Sequence, residues 1–351
     1  MSFKGYAIED PKKWTDFKVI DFHSKKMEDY DVEIKISYCG VCGSDIHTIT
    51  GGWGEIITPL ITGHEIVGKV TAVGPKVKEF KVGDRAGVGA QVWSCMDCNR
   101  CKNNNENYCK KMVDTYNAKY PHTGEIAHGG YSSGIRAHQQ FVFKIPEGLE
   151  DKYAAPMLCG GLTVFSPLKR HGAAPGKKVG VIGLGGLGHF AVLFAVSYFK
   201  CDVTVFSHSD NKKEDAKKMG AQHFVNTSHE NWVKEAGEDF DVIISTRDVA
   251  EGFPLADFLS ILNVHGTLNM VGLPDKELPG MMAQGFVSNA ANLSGSHIGS
   301  KEEVIEMLQG AADNGIKSWI EELPMSQASK AVQGVKDNKV RYRYVLKQDL
   351  E

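Results

Sequence analysis

Neither sign of charge dominates this chain of 351 residues: 40 Lys and Arg stand against 43 Asp and Glu, a formal net charge of −3. Such a balance gives no field that would gather nucleic acid or an anionic membrane, and neither partner is expected. The opening segment MSFKGYAIEDPKKW has no apolar stretch, and Ser2 stands where myristoylation needs Gly. A secretion signal and a lipid anchor are therefore not expected, which leaves a cytoplasmic location. Internal repeats, low-complexity tracts and an obvious interdomain linker are also missing. One run, Val179 to Phe199, lacks Lys, Arg, Asp and Glu and is long enough to span a bilayer, yet five glycines crowd its first half. They would break a spanning helix but suit a strand, a glycine turn and a buried helix. With 42% hydrophobic residues, the chain can bury sizeable cores, and at about 150 residues per domain two or three units are expected.

Cysteine is what the chain has in quantity. Four of its eight fall in CMDCNRCKNNNENYC, with spacing C-x2-C-x2-C-x7-C over Cys95, Cys98, Cys101 and Cys109. In a reducing compartment such a knuckle holds metal more readily than it forms structural disulfides. Four thiolates complete the shell of a structural zinc and leave no position for substrate. An iron–sulfur cluster also takes four thiolates, but the polar seven-residue lobe before Cys109, with no Pro after it, favours zinc.

A second set is scattered. Cys42 in YCGVCGSDIH, His64 in GHEIVGKVTAVG and Cys159 in PMLCGGLTVFSPL offer three ligands from separate loops. Three protein ligands leave the fourth position for water, an alcohol oxygen or a carbonyl, as in a catalytic zinc site. Cys39 and Cys201 read as core or strand residues.

The stretch KKVGVIGLGGLGHFAVLFA reads as a strand, then Gly183-x-Gly185-x-x-Gly188, then a helix. The glycines permit a tight turn, close approach of a pyrophosphate, and packing of helix on strand. The next strand, DVTVF, ends not in an acid but in Ser207, His208 and Ser209, with Lys212 and Lys213 following. Hydroxyls and cations suit a 2′-phosphate, so NADP(H) is expected; were Asp210 to reach the ribose instead, NAD would be preferred. DVIIS, GTLNMVGL and NLSGSHIG continue the alternation of a doubly wound parallel sheet.

Taken together, YCGVCGSDIH, GHEIVGKVTAVG, the four-cysteine knuckle, TYNAKYPHTGEIAHGGYS, PMLCGGLTVFSPL, GLGGLGH and VRYRYV resemble the zinc-dependent medium-chain alcohol dehydrogenases. The likeness is to their branch of cinnamyl alcohol dehydrogenases and fungal NADP-dependent alcohol dehydrogenases. It implies an α/β protein: a GroES-like, β-rich catalytic domain over residues 1–157, a Rossmann domain over 158–297, and a return to the catalytic domain over 298–351. It further implies a homodimer through the Rossmann domain, two zinc ions per chain, and a nicotinamide held between the domains. Cys42, His64 and Cys159 would bind the catalytic zinc, with Glu65 as an occasional fourth ligand and Asp45 as their outer partner.

The resemblance also implies a proton relay from Ser44 through the nicotinamide ribose to His47. Gly183, Gly185, Gly186, Leu187 and Gly188 would line the pyrophosphate, Ser207, His208, Ser209 and Lys212 the 2′-phosphate, and Thr163, Val271 and Ser296 the nicotinamide. Trp53, Trp93, Tyr116 and Ile298 fall where the family lines its substrate pocket. The expected activity is reversible reduction of aldehydes, such as cinnamaldehyde-like, aromatic and medium-chain or branched aliphatic compounds, to primary alcohols by NADPH. The alternatives are an NAD-dependent polyol or secondary-alcohol dehydrogenase and a non-catalytic NADPH-binding redox sensor.

Overall fold

The computed structural model describes residues 2–350. The chain divides into two compact units, one made of residues 1–160 and 300–351, the other of residues 161–299.

The first unit is organised by a seven-stranded sheet. Its spatial order is Val142–Lys144, Arg85–Val88, Ile66–Val73, Asp31–Gly40, Arg343–Lys347 and Ile320–Pro324, and Gly134–His138 pairs on Asp31–Gly40 as a branch. Neighbours run antiparallel except the last pair, Ile320–Pro324 beside Arg343–Lys347. Val32, Ile34, Ile36 and Cys39 of the long strand are fully or almost fully buried. They join Ile66, Val70, Val88, Tyr131 and Leu346 in one apolar cluster. Burial of this size is the main favourable term in folding. Cys39 takes its expected place in it.

The second unit carries six parallel strands in the spatial order His223–Asn226, Asp202–Ser207, Lys178–Ile182, Phe240–Ser245, Leu262–Met270 and Asn292–Gly295. Counted along the unit this is 3-2-1-4-5-6, the doubly wound order whose switch point lies beside the first strand. Val179, Val181, Val203, Val205, Val242, Ile243 and Ile244 are fully buried, as strands covered on both faces require. The apolar run that could pass for a membrane span is the strand Lys178–Ile182, a glycine turn and the helix Gly188–Ser197. No helix among the described residues is long and apolar enough to cross a membrane.

Candidate active site and metal centres

The four-cysteine lobe leaves the strand Gln91–Trp93 and is shaped by two short helical turns, Asn99–Lys102 and Glu106–Tyr108. Neighbouring sulfurs lie 3.5 Å apart for Cys98–Cys101 and Cys95–Cys109, 3.9 Å for Cys98–Cys109 and 4.0 Å for Cys95–Cys101. A tetrahedron with metal–sulfur bonds of about 2.3 Å has edges of about 3.8 Å, so the donor set fits zinc without rearrangement. Backbone N–H groups of Asp97 and Cys98 lower the Cys95 thiol to about 6, toward the thiolate a metal needs.

A single carboxylate fastens the lobe. Glu106, 3% exposed, accepts the backbone N–H of Lys301 at 2.7 Å and the side-chain amide of Gln140 at 3.2 Å. Lys301 opens the helix Lys301–Asp313, whose N-cap Ser300 and Glu303 bond reciprocally in a capping box. The Glu106 charge therefore sits at the positive end of a helix.

The second cluster is wholly buried. Cys42 ends the loop after Asp31–Gly40 and caps the helix Gly43–Ile49, His64 and Glu65 precede the strand Ile66–Val73, and Cys159 precedes the helix Gly160–Arg170. One ligand atom from each of the four lies within 4.8 Å of the others. Cys159 Sγ is 4.0 Å from Cys42 Sγ and 3.2 Å from His64 Nε2. The neighbouring Cys159 and, against burial, His64 hold the Cys42 thiol well below its usual range, while Cys42 and burial raise Cys159. Burial opposes a charge on His64, yet Asp45 and Cys42 raise it to about 9. The neighbours that favour positive charge on His64 would equally favour a divalent cation, and the sulfur and nitrogen donors suit zinc.

Glu65 is poised between two demands. Its Oε1 accepts the N–H of Gly160 at 3.3 Å and ion-pairs with buried Arg343. Its Oε2 is buried with no hydrogen-bond partner among the described residues. Gly40 leaves room for it, since a Cβ there would stand 2.0 Å from Oε2. Burial raises the Glu65 carboxyl to about 7, against the pull of Arg343.

Asp45, fully buried, accepts from the backbone N–H of Cys42 at 2.9 Å and of Gly63 at 3.0 Å, and from the Tyr131 hydroxyl at 3.1 Å. Ser44 Oγ is 3.6 Å from Cys42 Sγ, and His47 lies one turn further along the same helix. The imidazole of His47 stacks on Trp53 with ring centres 4.8 Å apart and planes 2° from parallel; Trp53 remains 46% exposed. Trp93 stacks on His122. Tyr116 is buried against His64, its hydroxyl 3.1 Å from Nδ1. Sequence reasoning passed over Arg343 as a charge partner, and Tyr131, Glu106 and His122 as neighbours of these residues.

In the second unit Gly183 has φ of +87°, the left-handed region. At Gly188 a Cβ would stand 1.9 Å from the Gly183 carbonyl oxygen. The tight turn and close packing read from the motif are thus properties of these two glycines, and the helix Gly188–Ser197 starts at the turn with Leu187 as its N-cap. Thr246, unremarked in the sequence, braces it by donating to the carbonyl of Ile182 at 2.9 Å. Ser207 closes its strand, His208 is exposed, and Lys212 donates to the carbonyl of Leu184 inside the glycine turn at 2.6 Å. Asp210 accepts from Asn226 at 3.1 Å. Ser209 approaches Ser207 Oγ at 3.5 Å, and Ser296 accepts from buried Asn269 at 3.0 Å. Thr163 is half-buried on the helix Gly160–Arg170, while Val271 and Ile298 are buried.

Comparison with known proteins gives two family matches, "Alcohol dehydrogenase GroES-like domain" over residues 28–147 and "Zinc-binding dehydrogenase" over residues 186–313. NADP-dependent alcohol dehydrogenase 6 of Saccharomyces cerevisiae is 41% identical over 349 residues, 98% of this chain and 96% of the yeast protein. A cinnamyl alcohol dehydrogenase from Sorghum bicolor superposes with a TM-score of 0.94 at 36% identity, covering 100% of this chain and 99% of that one. The cinnamyl alcohol dehydrogenase of Helicobacter pylori, solved with NADP(H), gives 0.90 at 36% identity over 99% of this chain and 98% of that one.

Proposed function

The chain belongs to the zinc-binding alcohol dehydrogenases with a GroES-like domain, and from that membership we propose that it interconverts aldehydes and primary alcohols with NADP(H) as hydride carrier. The observation that carries the reading is the pairing, within one unit, of a cluster closed by four thiolates with a buried Cys42, His64, Cys159 cluster beside a half-free Glu65 carboxylate. Cys42, His64 and Cys159 would hold a zinc ion that would supply Lewis acidity toward a carbonyl oxygen, with NADPH as the source of hydride.

The chain's own residues do the rest. Burial of the four ligands keeps water from the reacting centre, and Asp45 fixes the start of the ligand-bearing helix through the Cys42 N–H. The Ser44 hydroxyl, beside Cys42, is the group placed to give a proton to the product oxygen, and His47, one turn further along the same helix, would form the solvent end of a relay that the cofactor ribose completes. Arg343 holds one oxygen of Glu65, so that the other meets the cluster. Trp53, Trp93 and Tyr116 supply aromatic walls, which favours cinnamaldehyde-like, aromatic and branched or medium-chain aliphatic aldehydes.

Preference for NADP(H) is supported by the turn after Asp202–Ser207: Lys212 lies at the glycine turn, and Asp210 is engaged by Asn226. The turn would bind the pyrophosphate through Gly183, Gly185, Gly186, Leu187 and Gly188, with Ser207, His208 and Ser209 toward the 2′-phosphate and Thr163, Val271 and Ser296 toward the nicotinamide. A homodimer through the second unit is supported by its edge strand Asn292–Gly295, paired on one side only among the described residues, and by exposed Leu293, Leu278, Met282 and Val287. A cytoplasmic setting suits two thiolate metal centres.

The test is the initial rate of NADPH oxidation with cinnamaldehyde, run beside NADH, beside mannitol with NAD+, and after a zinc chelator. Chelator-sensitive aldehyde reduction favouring NADPH by about tenfold or more, worth about 1.4 kcal/mol, is the expected result. Equal use of NADH would refute the cofactor assignment, and turnover of mannitol alone would favour the polyol reading.

A further inference from the structure

An imidazole that gives Nε2 to a metal needs a partner at Nδ1, because that partner fixes the tautomer and the plane of the ring. For His64 the nearest carboxylate, Asp45, is 3.7 Å from Nδ1, beyond hydrogen-bond length. The hydroxyl of Tyr116 is 3.1 Å away. Its ring faces the imidazole, centres 5.5 Å apart and planes 23° from parallel, and Tyr116 is only 7% exposed. Asp45 is itself held by the Cys42 and Gly63 N–H groups and by Tyr131.

We propose that Tyr116 is the positioning residue of the metal ligand His64, accepting from Nδ1–H. One hydroxyl then orients a ligand that the carboxylate does not reach. The inference rests on Cys42, His64 and Cys159 as the zinc ligands, and it concerns the residue expected among the substrate-pocket aromatics.

The test is metal retention by the full-length protein. Zinc release is followed against graded chelator, together with the visible spectrum of protein loaded with Co2+. Tyr116→Phe should lose one of the two metals about 10- to 100-fold more easily, keep the lobe metal, and shift the cobalt bands. Tyr116→Gln, whose amide oxygen can accept from Nδ1–H, should recover part of the loss. Mere space-filling predicts the reverse, since Phe replaces the ring and Gln does not. Tyr131→Phe, which touches Asp45 but not His64, should lose less than Tyr116→Phe.

Unchanged affinity and spectrum in Tyr116→Phe would overturn the inference, as would a Gln variant weaker than Phe. If the wild type retained only the lobe metal, the ligand assignment beneath the inference would fall with it, and the metal count alone separates that failure from the others.

Discussion

Replacing Glu106 by Ala should unfasten the four-cysteine lobe while leaving every cysteine in place. The carboxylate serves two donors, the Lys301 N–H at 2.7 Å and the Gln140 amide at 3.2 Å, in a site 3% exposed. A hydrogen bond to a charged group contributes about 1.5–3 kcal/mol, and the helix terminus adds a fraction of that. Since the two bonds share one acceptor and are not additive, a loss of about 3 kcal/mol is expected. For a unit of some two hundred residues that lowers the melting temperature by about 6–12 °C. Glu106→Gln keeps an oxygen for both donors without the charge and should lose roughly half as much. The assay is a thermal melt of the three proteins with and without chelator. Once the lobe metal is gone the staple has less to hold, so the Ala substitution should then cost less. An Ala variant that melts with the wild type, or a Gln variant as weak as Ala, would refute the reasoning.

Two further outcomes follow from the same geometry. Cys159→Ala should abolish aldehyde turnover and leave a folded protein that still binds NADPH, whereas Cys101→Ala should chiefly lower the melting temperature; full activity in Cys159→Ala would refute the ligand assignment. His138 is held down to about 4 by burial and by Lys25 and Lys301, against the opposing pull of Asp31 and Glu28. Its Nδ1 accepts the N–H of Gln140, so it is neutral when folded. Between about pH 6.5 and 4 the unfolded chain binds the extra proton, and stability therefore falls as pH falls, by at most about 3 kcal/mol. Denaturant titrations across that range should show a shallower slope in His138→Gln, and an identical slope would contradict the assignment.

The metal centres were legible because thiols are rare enough to be counted and the lobe ligands are close in sequence: three of four fall within seven residues, Cys95 to Cys101. The glycine turn was legible because its strand, turn and helix are contiguous. Contacts that depend on distant segments were not. Arg343 reaches Glu65 across 278 positions, and no local pattern distinguishes it from a surface arginine. Tyr116 reads as one more aromatic in TYNAKYPHTGEIAHGGYS, and only the folded chain turns its hydroxyl toward His64. Trp53 likewise reads as a wall, and its stacking on His47 depends on the loop after the helix Gly43–Ile49.

The strand Arg343–Lys347 lies inside its sheet, paired with Asp31–Gly40 on one side and Ile320–Pro324 on the other. A ribosome therefore delivers the whole 161–299 unit, able to close on its own contacts, before it delivers the strand that completes the first unit. Until then the first sheet has an open seam, and Glu65 has no arginine. The nascent chain must keep that seam from pairing with other chains. Metal acquisition before residue 343 emerges would meet a Glu65 carboxylate held by the Gly160 N–H alone, with no arginine beside it, a different donor set from the one in the finished protein.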